Sequence, residues 1–163
     1  ASRLMTEICA AVGRPLELRL EPGRFLVAEA GTLYATVTSV KTNPDSQRTF
    51  VGCDTGFNHL IRPAMYEAYH RIENVSNPHG VPAKVDVVGN ICESGDIFAR
   101  DRVLPQARVG DIIAIRDAGA YGFAMASTYN LRPLPAEVVV EGGKSRLARQ
   151  RQRLSDLLNG WNL

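Results

Sequence analysis

Long apolar runs are missing from this sequence of 163 residues. No stretch approaches the ~20 consecutive apolar residues that a membrane helix needs. The N-terminus, ASRLMTEICAAVGRP, has neither the apolar core nor the cleavage pattern of a signal peptide. These absences predict a cytoplasmic protein with no membrane partner.

Cysteine, histidine and net charge are also low. The sequence contains three cysteines and three histidines, and its formal net charge is +2. An odd number of widely spaced cysteines without a CxxC pair argues against a disulfide framework and against a zinc site. The histidines have no metal-ligand spacing, and so small a charge does not indicate nucleic acid as a partner. We therefore expect no bound metal and no nucleic-acid partner.

What is present is typical of a globular protein. Hydrophobic residues make up 45% of the chain and the mean hydropathy is -0.11, which leaves ample material for a core. The length fits one domain, or one domain plus a fragment of another.

The first thirty residues predict one αβα step of an α/β fold. Apolar residues recur at helical spacing over residues 2–12, and a Gly-Arg-Pro stop follows. Residues 16–20, LELRL, alternate strictly and predict a strand. The tetrapeptide EPGR at 21–24 then breaks the chain before a short apolar helix over 25–30.

The pattern changes after Gly31 to short segments rich in Val, Ile, Thr and Tyr, separated by turn signals. Short strands separated by frequent turns predict a mostly antiparallel β-sandwich or barrel. The predicted strands are residues 32–42, 48–54, 69–75, 83–89, 111–116 and 136–140. Leucines on one stripe predict a final helix over 145–159.

A lone αβ step cannot close a parallel sheet by itself. Either the step docks onto the β-domain, or the chain is the end of a longer polypeptide. We favour the second interpretation.

Four short segments contain residues suited to chemistry. Glu21-Pro22-Gly23-Arg24 ends a predicted strand, and its carboxylate, glycine and arginine suit an anionic ligand. Taken alone, the tetrapeptide is better explained by a Pro-Gly turn with two solvated charges. Arg62 and Tyr66 are four residues apart, so on a helix they share one face and could hold a carboxylate, or simply pack on each other. Cys92-Glu93 lies in a loop after a strand, where the cysteine is a reactive group or a small buried apolar one. Tyr121 lies among small residues and either donates to a phosphate or caps the core.

Together and in this order, these segments resemble the alanine-racemase-like (fold-type III) pyridoxal-phosphate-dependent decarboxylases. The resemblance covers the chain from about residue 16 to its end. The matching stretches are EPGRFLVAEAG at 21–31, DTGFNHLIRPAMYEAYH at 54–70, VVGNICESGD at 87–96 and GDIIAIRDAGAYGFAMASTYNLRPLPAEVVV at 110–140.

The resemblance implies a fold made of a cofactor-binding α/β barrel followed by a β-domain. Residues 1–30 would be the last units of the barrel, 31–140 the β-domain, and 141–163 a C-terminal helix that packs back towards the barrel. The fold class expected of this chain is therefore mostly β with flanking helices. A homodimer is implied as well, because the active site in this family lies between two subunits.

The resemblance also implies roles for single residues. Glu21 would face the pyridine nitrogen of pyridoxal 5'-phosphate, while Gly23, Arg24 and Tyr121 would lie at the cofactor phosphate, with Arg24 also near the substrate carboxylate. Arg62 and Tyr66 would bind the distal end of an amino-acid substrate, and Glu93 its distal amino group. Cys92 would reach across the dimer interface and return a proton after carbon dioxide leaves.

The implied reaction is the decarboxylation of meso-diaminopimelate to L-lysine, because Glu93 and Arg62 favour a substrate with a second amine and a second carboxylate. Decarboxylation of ornithine, arginine or carboxynorspermidine is the alternative within the family. The lysines, Lys41, Lys84 and Lys144, do not match the context of the family's Schiff-base lysine, so the barrel of the same polypeptide would have to supply it and this chain alone would be inert. A non-catalytic β-module for binding or assembly is the alternative from a different class.

Overall fold

Eight strands and three short α-helices form over residues 2–161, the part of the chain that the computed structural model describes. The helices are α1 (Ser2–Val12), α2 (Gly23–Val27) and α3 (Arg62–Tyr66). The strands are β1 (Leu33–Thr42), β2 (Thr49–Cys53), β3 (Ile72–Asn74), β4 (Pro82–Val88), β5 (Ile97–Pro105), β6 (Ile112–Ile115), β7 (Glu137–Glu141) and β8 (Lys144–Arg149). Short 3-10 turns occur at Phe123–Met125, Tyr129–Leu131 and Leu154–Leu158.

Six of the strands form one sheet in the order β3-β6-β1-β2-β4-β5. All neighbours are antiparallel except β2 and β4, which run parallel. The two edges approach each other: the Arg102 guanidinium donates to the carbonyl of His70 at 3.0 Å, and the Asn74 side-chain amide donates to the carbonyl of Gln106 at 3.3 Å. The sheet is therefore a nearly closed barrel, which protects its edge strands. The prediction of a mostly antiparallel β-domain is confirmed.

The core lies inside this barrel. Its β-branched side chains come mainly from β1, β2, β4 and β6, and Leu60 comes from the segment after β2. Burying each one contributes roughly 1.5–3 kcal/mol relative to exposure. The residues at or near zero exposure are Val37, Val51, Leu60, Val87, Ile113 and Ile115. Such a core holds the strand ends rigidly.

The strand directions bring the candidate segments to one end of the barrel. Because β2 and β4 are parallel, and β2 and β6 are both antiparallel to β1, the strands β2, β4 and β6 all finish at the same end. The segments that follow them carry Arg62, Cys92 and Tyr121. The segment before β1 carries Glu21 and begins its strand at that same end.

The strand predicted over residues 16–20 is wrong, since these residues have no regular structure. A strand of a parallel barrel obtains its backbone hydrogen bonds from neighbouring barrel strands, and the described chain supplies none. The apolar side chains of Leu18 and Leu20 are accordingly 49% and 72% exposed. The helices on either side of this segment are confirmed, although α2 ends at Val27 rather than near residue 30.

The helix predicted over residues 145–159 is also wrong, because β8 pairs with β7 as an antiparallel hairpin. Gly142 and Gly143 both have positive φ, +56° and +75°, and connect the paired residues Glu141 and Lys144. That is the two-residue type I′ turn, whose twist matches a hairpin.

The hairpin runs through the domain boundary predicted at residue 140. The three predicted domain ranges stay predictions, and so does the packing of the tail against a barrel. Ala1, Asn162 and Leu163, which belong to the first and last of those ranges, lie outside the described residues.

Strand β5 was absent from the predicted strands. It includes Arg100, Asp101 and Arg102, which interrupt the apolar pattern, and its outward face is exposed. An edge strand with one solvated face tolerates such charges.

Candidate functional site

The segment from α2 to β1 docks onto the loop that follows β6. The backbone N–H of Ala118 donates to the carbonyl of Gly31 at 2.9 Å, and that of Gly119 donates to the carbonyl of Ala28 at 3.0 Å. A Cβ on Gly119 would lie only 2.0 Å from the carbonyl oxygen of Val27. Glycine at 119 therefore permits a backbone contact that a larger residue would prevent.

This contact places α2 beside Tyr121, and a cleft of about 560 Å³ opens there. Arg24, Arg62, Tyr66 and Tyr121 line it, together with Ala68 and Met125. The guanidinium carbon of Arg62 is 5.7 Å from the ring centroid of Tyr66 and 5.7 Å from that of Tyr121. The two rings keep Arg62 in place by cation–π contact.

Helix α3 sets this arrangement. It begins at Arg62 with a proline in its first turn, and it ends after one turn, where Glu67 adopts a left-handed conformation. Arg62 and Tyr66 are therefore one helical turn apart on the same face, as predicted. Two guanidinium groups and two phenols around one cleft favour an anionic ligand such as a carboxylate or phosphate.

A second cleft of about 590 Å³ shares Arg24 and Tyr121 with the first. Glu21 and Gly23 line it as well, together with the acidic residues Glu29 and Asp117. A Cβ on Gly23 would meet nothing within 4 Å, so the backbone there is open to a ligand. Tyr121 has a φ of +61°, a left-handed conformation uncommon for a residue other than glycine, and such outliers occur at functional sites.

The structure thus brings together six of the eight residues singled out in the sequence: Glu21, Gly23, Arg24, Arg62, Tyr66 and Tyr121. Cys92 and Glu93 line neither cleft. Both are exposed in the loop between β4 and β5, and Cys92 is a free thiol. Within one copy of the described chain, the cysteine is not assembled with the arginine and tyrosine cluster.

Sequence reasoning missed the residue that holds the cysteine loop. The carboxylate of Asp96 is buried and accepts hydrogen bonds from the backbone N–H groups of Phe57 at 2.6 Å and Ile91 at 2.7 Å. Burial raises the pKa of Asp96, and these two hydrogen bonds oppose the increase. The sequence carries no signal for this anchor: a Cβ on Gly89 would lie 2.2 Å from the carboxylate, but only the structure shows that contact.

The three lysines lie away from both clefts. Lys84 forms an ion pair with Asp101 at 3.0 Å, and Lys41 and Lys144 lie on β1 and β8. Over residues 2–161 no cluster of His, Cys, Asp and Glu has the composition of a metal site. In the same part of the chain, every helix is too short or too polar to cross a membrane.

Residues 24–119 match a family described as "Pyridoxal-dependent decarboxylase, C-terminal sheet domain". A diaminopimelate decarboxylase of Methanothermobacter thermautotrophicus is 52% identical over 153 residues, which cover 93% of this chain and 35% of that protein. The diaminopimelate decarboxylase of Escherichia coli K12 is 43% identical, over 93% of this chain and 39% of its own length. This chain thus spans somewhat more than a third of these relatives.

The similarity to diaminopimelate decarboxylases extends to solved structures. A diaminopimelate decarboxylase from M. jannaschii, in co-complex with L-lysine, superposes with a TM-score of 0.85 at 38% identity. The superposition covers 99% of this chain and 37% of that one.

Proposed function

The chain belongs to the pyridoxal-dependent decarboxylases, whose C-terminal sheet domain it contains, and on that premise we propose that the whole protein decarboxylates meso-diaminopimelate to L-lysine. The observation that carries the proposal is the cleft in which Arg62 is held between Tyr66 and Tyr121. A fixed guanidinium there supplies the bidentate partner that a second carboxylate on the substrate requires.

The residues of the second cleft fit one part of pyridoxal 5'-phosphate. Arg24 and Tyr121 offer a cation and a hydroxyl donor to a phosphate, and Gly23 leaves its backbone open beside them. Glu21 lines the same cleft and is the acceptor for a protonated ring nitrogen. When bound, the cofactor supplies an electron sink for the pair of electrons left as carbon dioxide departs.

The other residues act on the substrate. Arg62 and Tyr66 bind the distal carboxylate, Glu93 accepts hydrogen bonds from the distal ammonium group, and Arg24 is also close to the substrate carboxylate. The Cys92 thiol donates a proton to the α-carbon after decarboxylation and recovers one from solvent. Because Cys92 lies outside the clefts of its own chain, its partner site belongs to a second copy of the protein, in a homodimer with shared active sites.

The rest of the site comes from the barrel that precedes this domain in the same polypeptide. That barrel contributes the Schiff-base lysine, for which Lys41, Lys84 and Lys144 are unsuitably placed. The 163-residue chain alone is therefore inert. The whole protein is a biosynthetic enzyme that acts on a free amino acid, and we place it in the cytoplasm.

Carbon dioxide release tests the proposal. The full-length gene product, supplied with pyridoxal phosphate, is assayed with meso-diaminopimelate, ornithine, arginine and carboxynorspermidine. Release from meso-diaminopimelate, lost on Cys92→Ala, supports the proposal. If carbon dioxide is released only from ornithine, arginine or carboxynorspermidine, the protein is still a decarboxylase but the roles assigned to Arg62 and Glu93 are rejected. No release from any of the four, with no cofactor absorbance, favours a non-catalytic module.

A further inference from the structure

The loop between β4 and β5, residues 89–96, has no regular structure, and a buried carboxylate helps to hold it together with a few other hydrogen bonds. Its ends are joined by the N–H of Gly89, which donates to the carbonyl of Asp96 at 2.9 Å. The Asp96 side chain then accepts one hydrogen bond from inside the loop, from Ile91, and one from outside it, from Phe57. Phe57 belongs to the segment between β2 and α3, so the carboxylate fixes the loop to its neighbour, alongside the N–H of Asn90, which donates to the carbonyl of Thr55 at 3.1 Å.

The surroundings of Asp96 are shaped for this carboxylate. The residue is only 4% exposed, and a buried carboxylate is tolerated where its oxygens are hydrogen-bonded. Two glycines make room for it: a Cβ on Gly89 would lie 2.2 Å from its Oδ2, and a Cβ on Gly56 would lie 2.9 Å from the same oxygen. Cys92 and Glu93 are exposed at the other side of the loop, between Ile91 and Asp96.

We propose that Asp96 is a positioning residue of the decarboxylase: by binding two backbone N–H groups it holds the 89–96 loop so that Cys92 and Glu93 meet the substrate in a fixed geometry. This inference rests on the function proposed above. Asp96 itself touches no reacting atom, since its oxygens are engaged by Phe57 and Ile91. Its effect on rate is through Cys92, because a displacement of about 1 Å in a reacting group can cost roughly a hundred-fold in rate.

Asp96→Asn tests the proposal with little change in size. An amide has one oxygen acceptor, so its NH2 group faces either Phe57 or Ile91 and one of the two hydrogen bonds is lost. Asp86→Asn is the matched control. Asp86 is 2% exposed and bound by Arg48 and by the N–H of Asp101, away from the loop and from both clefts.

In the full-length protein with pyridoxal phosphate, we expect Asp96→Asn to lower kcat for meso-diaminopimelate roughly ten- to hundred-fold. In a Cys92→Ala background, assayed with excess enzyme for its residual turnover, the same change should lower kcat less than it does in wild type, because only the placement of Glu93 is still lost. Asp86→Asn should lower kcat equally in both backgrounds, if at all. Equal losses from Asp96→Asn in the two backgrounds, or activity within about two-fold of wild type, would overturn the proposal.

Hydrogen exchange gives a readout that does not depend on activity. Asp96→Asn should speed exchange in peptides that contain Phe57 and Ile91, and Asp86→Asn should not. If wild type releases no carbon dioxide from any amino acid, the proposed function fails, and unchanged exchange on Asp96→Asn would reject the anchoring role separately. Should Asp96→Asn not fold, Gly89→Ala displaces the carboxylate without changing its charge and is compared in the same two measurements.

Discussion

At the scale of single residues, the proposed function gives Arg62 the task of distinguishing a substrate with two carboxylates from one with a single carboxylate. Its guanidinium contacts two tyrosine rings at one end of the barrel, and the described residues that line its cleft include no acidic side chain. We expect Arg62→Ala to raise the KM for meso-diaminopimelate by roughly ten- to a hundred-fold, the value of a hydrogen bond to a charged group, with a smaller change in kcat. Steady-state kinetics of the full-length variant provides the measurement.

Arg62→Lys should give an intermediate KM, because lysine supplies the charge without the planar fork. Arg146→Ala, which removes an exposed arginine from β8, is the control and should leave KM unchanged. An Arg62→Ala enzyme with wild-type KM would remove Arg62 from the substrate site.

His59 makes stability depend on pH. Its Nδ1 lies 2.8 Å from the hydroxyl of Thr55, and burial lowers its pKa from 6.5, assisted by the nearby charges of Arg151 and Arg132. Asp54 and the carbonyl of Pro133 act in the opposite direction but do not reverse the change. Between the lowered pKa and 6.5, the unfolded chain therefore binds more protons than the folded one.

Neutral His59 therefore stabilises the fold fully above pH 6.5, and this stabilisation is lost as the pH falls through the lowered pKa of His59. We expect the melting temperature of wild type to fall over this range more steeply than that of His59→Asn. His79→Asn, at an exposed position, serves as the control and should follow wild type. Parallel curves for wild type and His59→Asn would show that His59 does not contribute.

At the scale of elements, the β7–β8 hairpin depends on its two glycines. Both central turn residues have positive φ, which asparagine accepts and β-branched residues do not. We expect Gly142→Asn to preserve the hairpin and Gly142→Val to destabilise it by about 1–3 kcal/mol. Hydrogen exchange of the β7 and β8 amides is the measurement, and β4, whose amides should not respond, is the internal control.

The same hairpin shows where sequence patterns fall short. The predicted strand over 136–140 was correct because Val138, Val139 and Val140 favour a strand. The predicted helix that followed relied on three widely spaced leucines, of which Leu147 lies on β8 and is 57% exposed. The Gly-Gly pair between the two segments was the stronger signal, since it fits a two-residue hairpin.

The candidate cluster could be predicted only in part, because its residues meet through the topology of the sheet. Arg24, Arg62 and Tyr121 are far apart in sequence, and the antiparallel pairing of β1 with β2 and β6 brings their segments to one end of the barrel. Local patterns predicted most of the barrel strands, although not β5, and they could not predict the strand order. The buried anchor Asp96 was missed because its partners are backbone N–H groups, which leave no mark in the sequence.

At the scale of the whole molecule, the position of Cys92 decides how many subunits form a site. The loop that bears it lies outside the clefts lined by Arg24 and Arg62 in the same chain. Under the proposed function, we expect a site that needs both cysteine and arginine to draw them from two subunits. In a twofold dimer this arrangement would be reciprocal, so that each protomer would give its Cys92 to the other.

Mixing two inactive variants tests this arrangement. We expect Arg24→Ala and Cys92→Ala homodimers each to lose activity, and their mixture, unfolded and refolded together, to regain it. Random reassortment makes about half of the dimers mixed, and each mixed dimer holds one site without either change, so activity should reach about a quarter of wild type. A chain carrying both substitutions, refolded with itself, is the control and should stay inactive. A mixture no more active than its components would place Cys92 and Arg24 in the same subunit's site, because reassortment then creates no intact site.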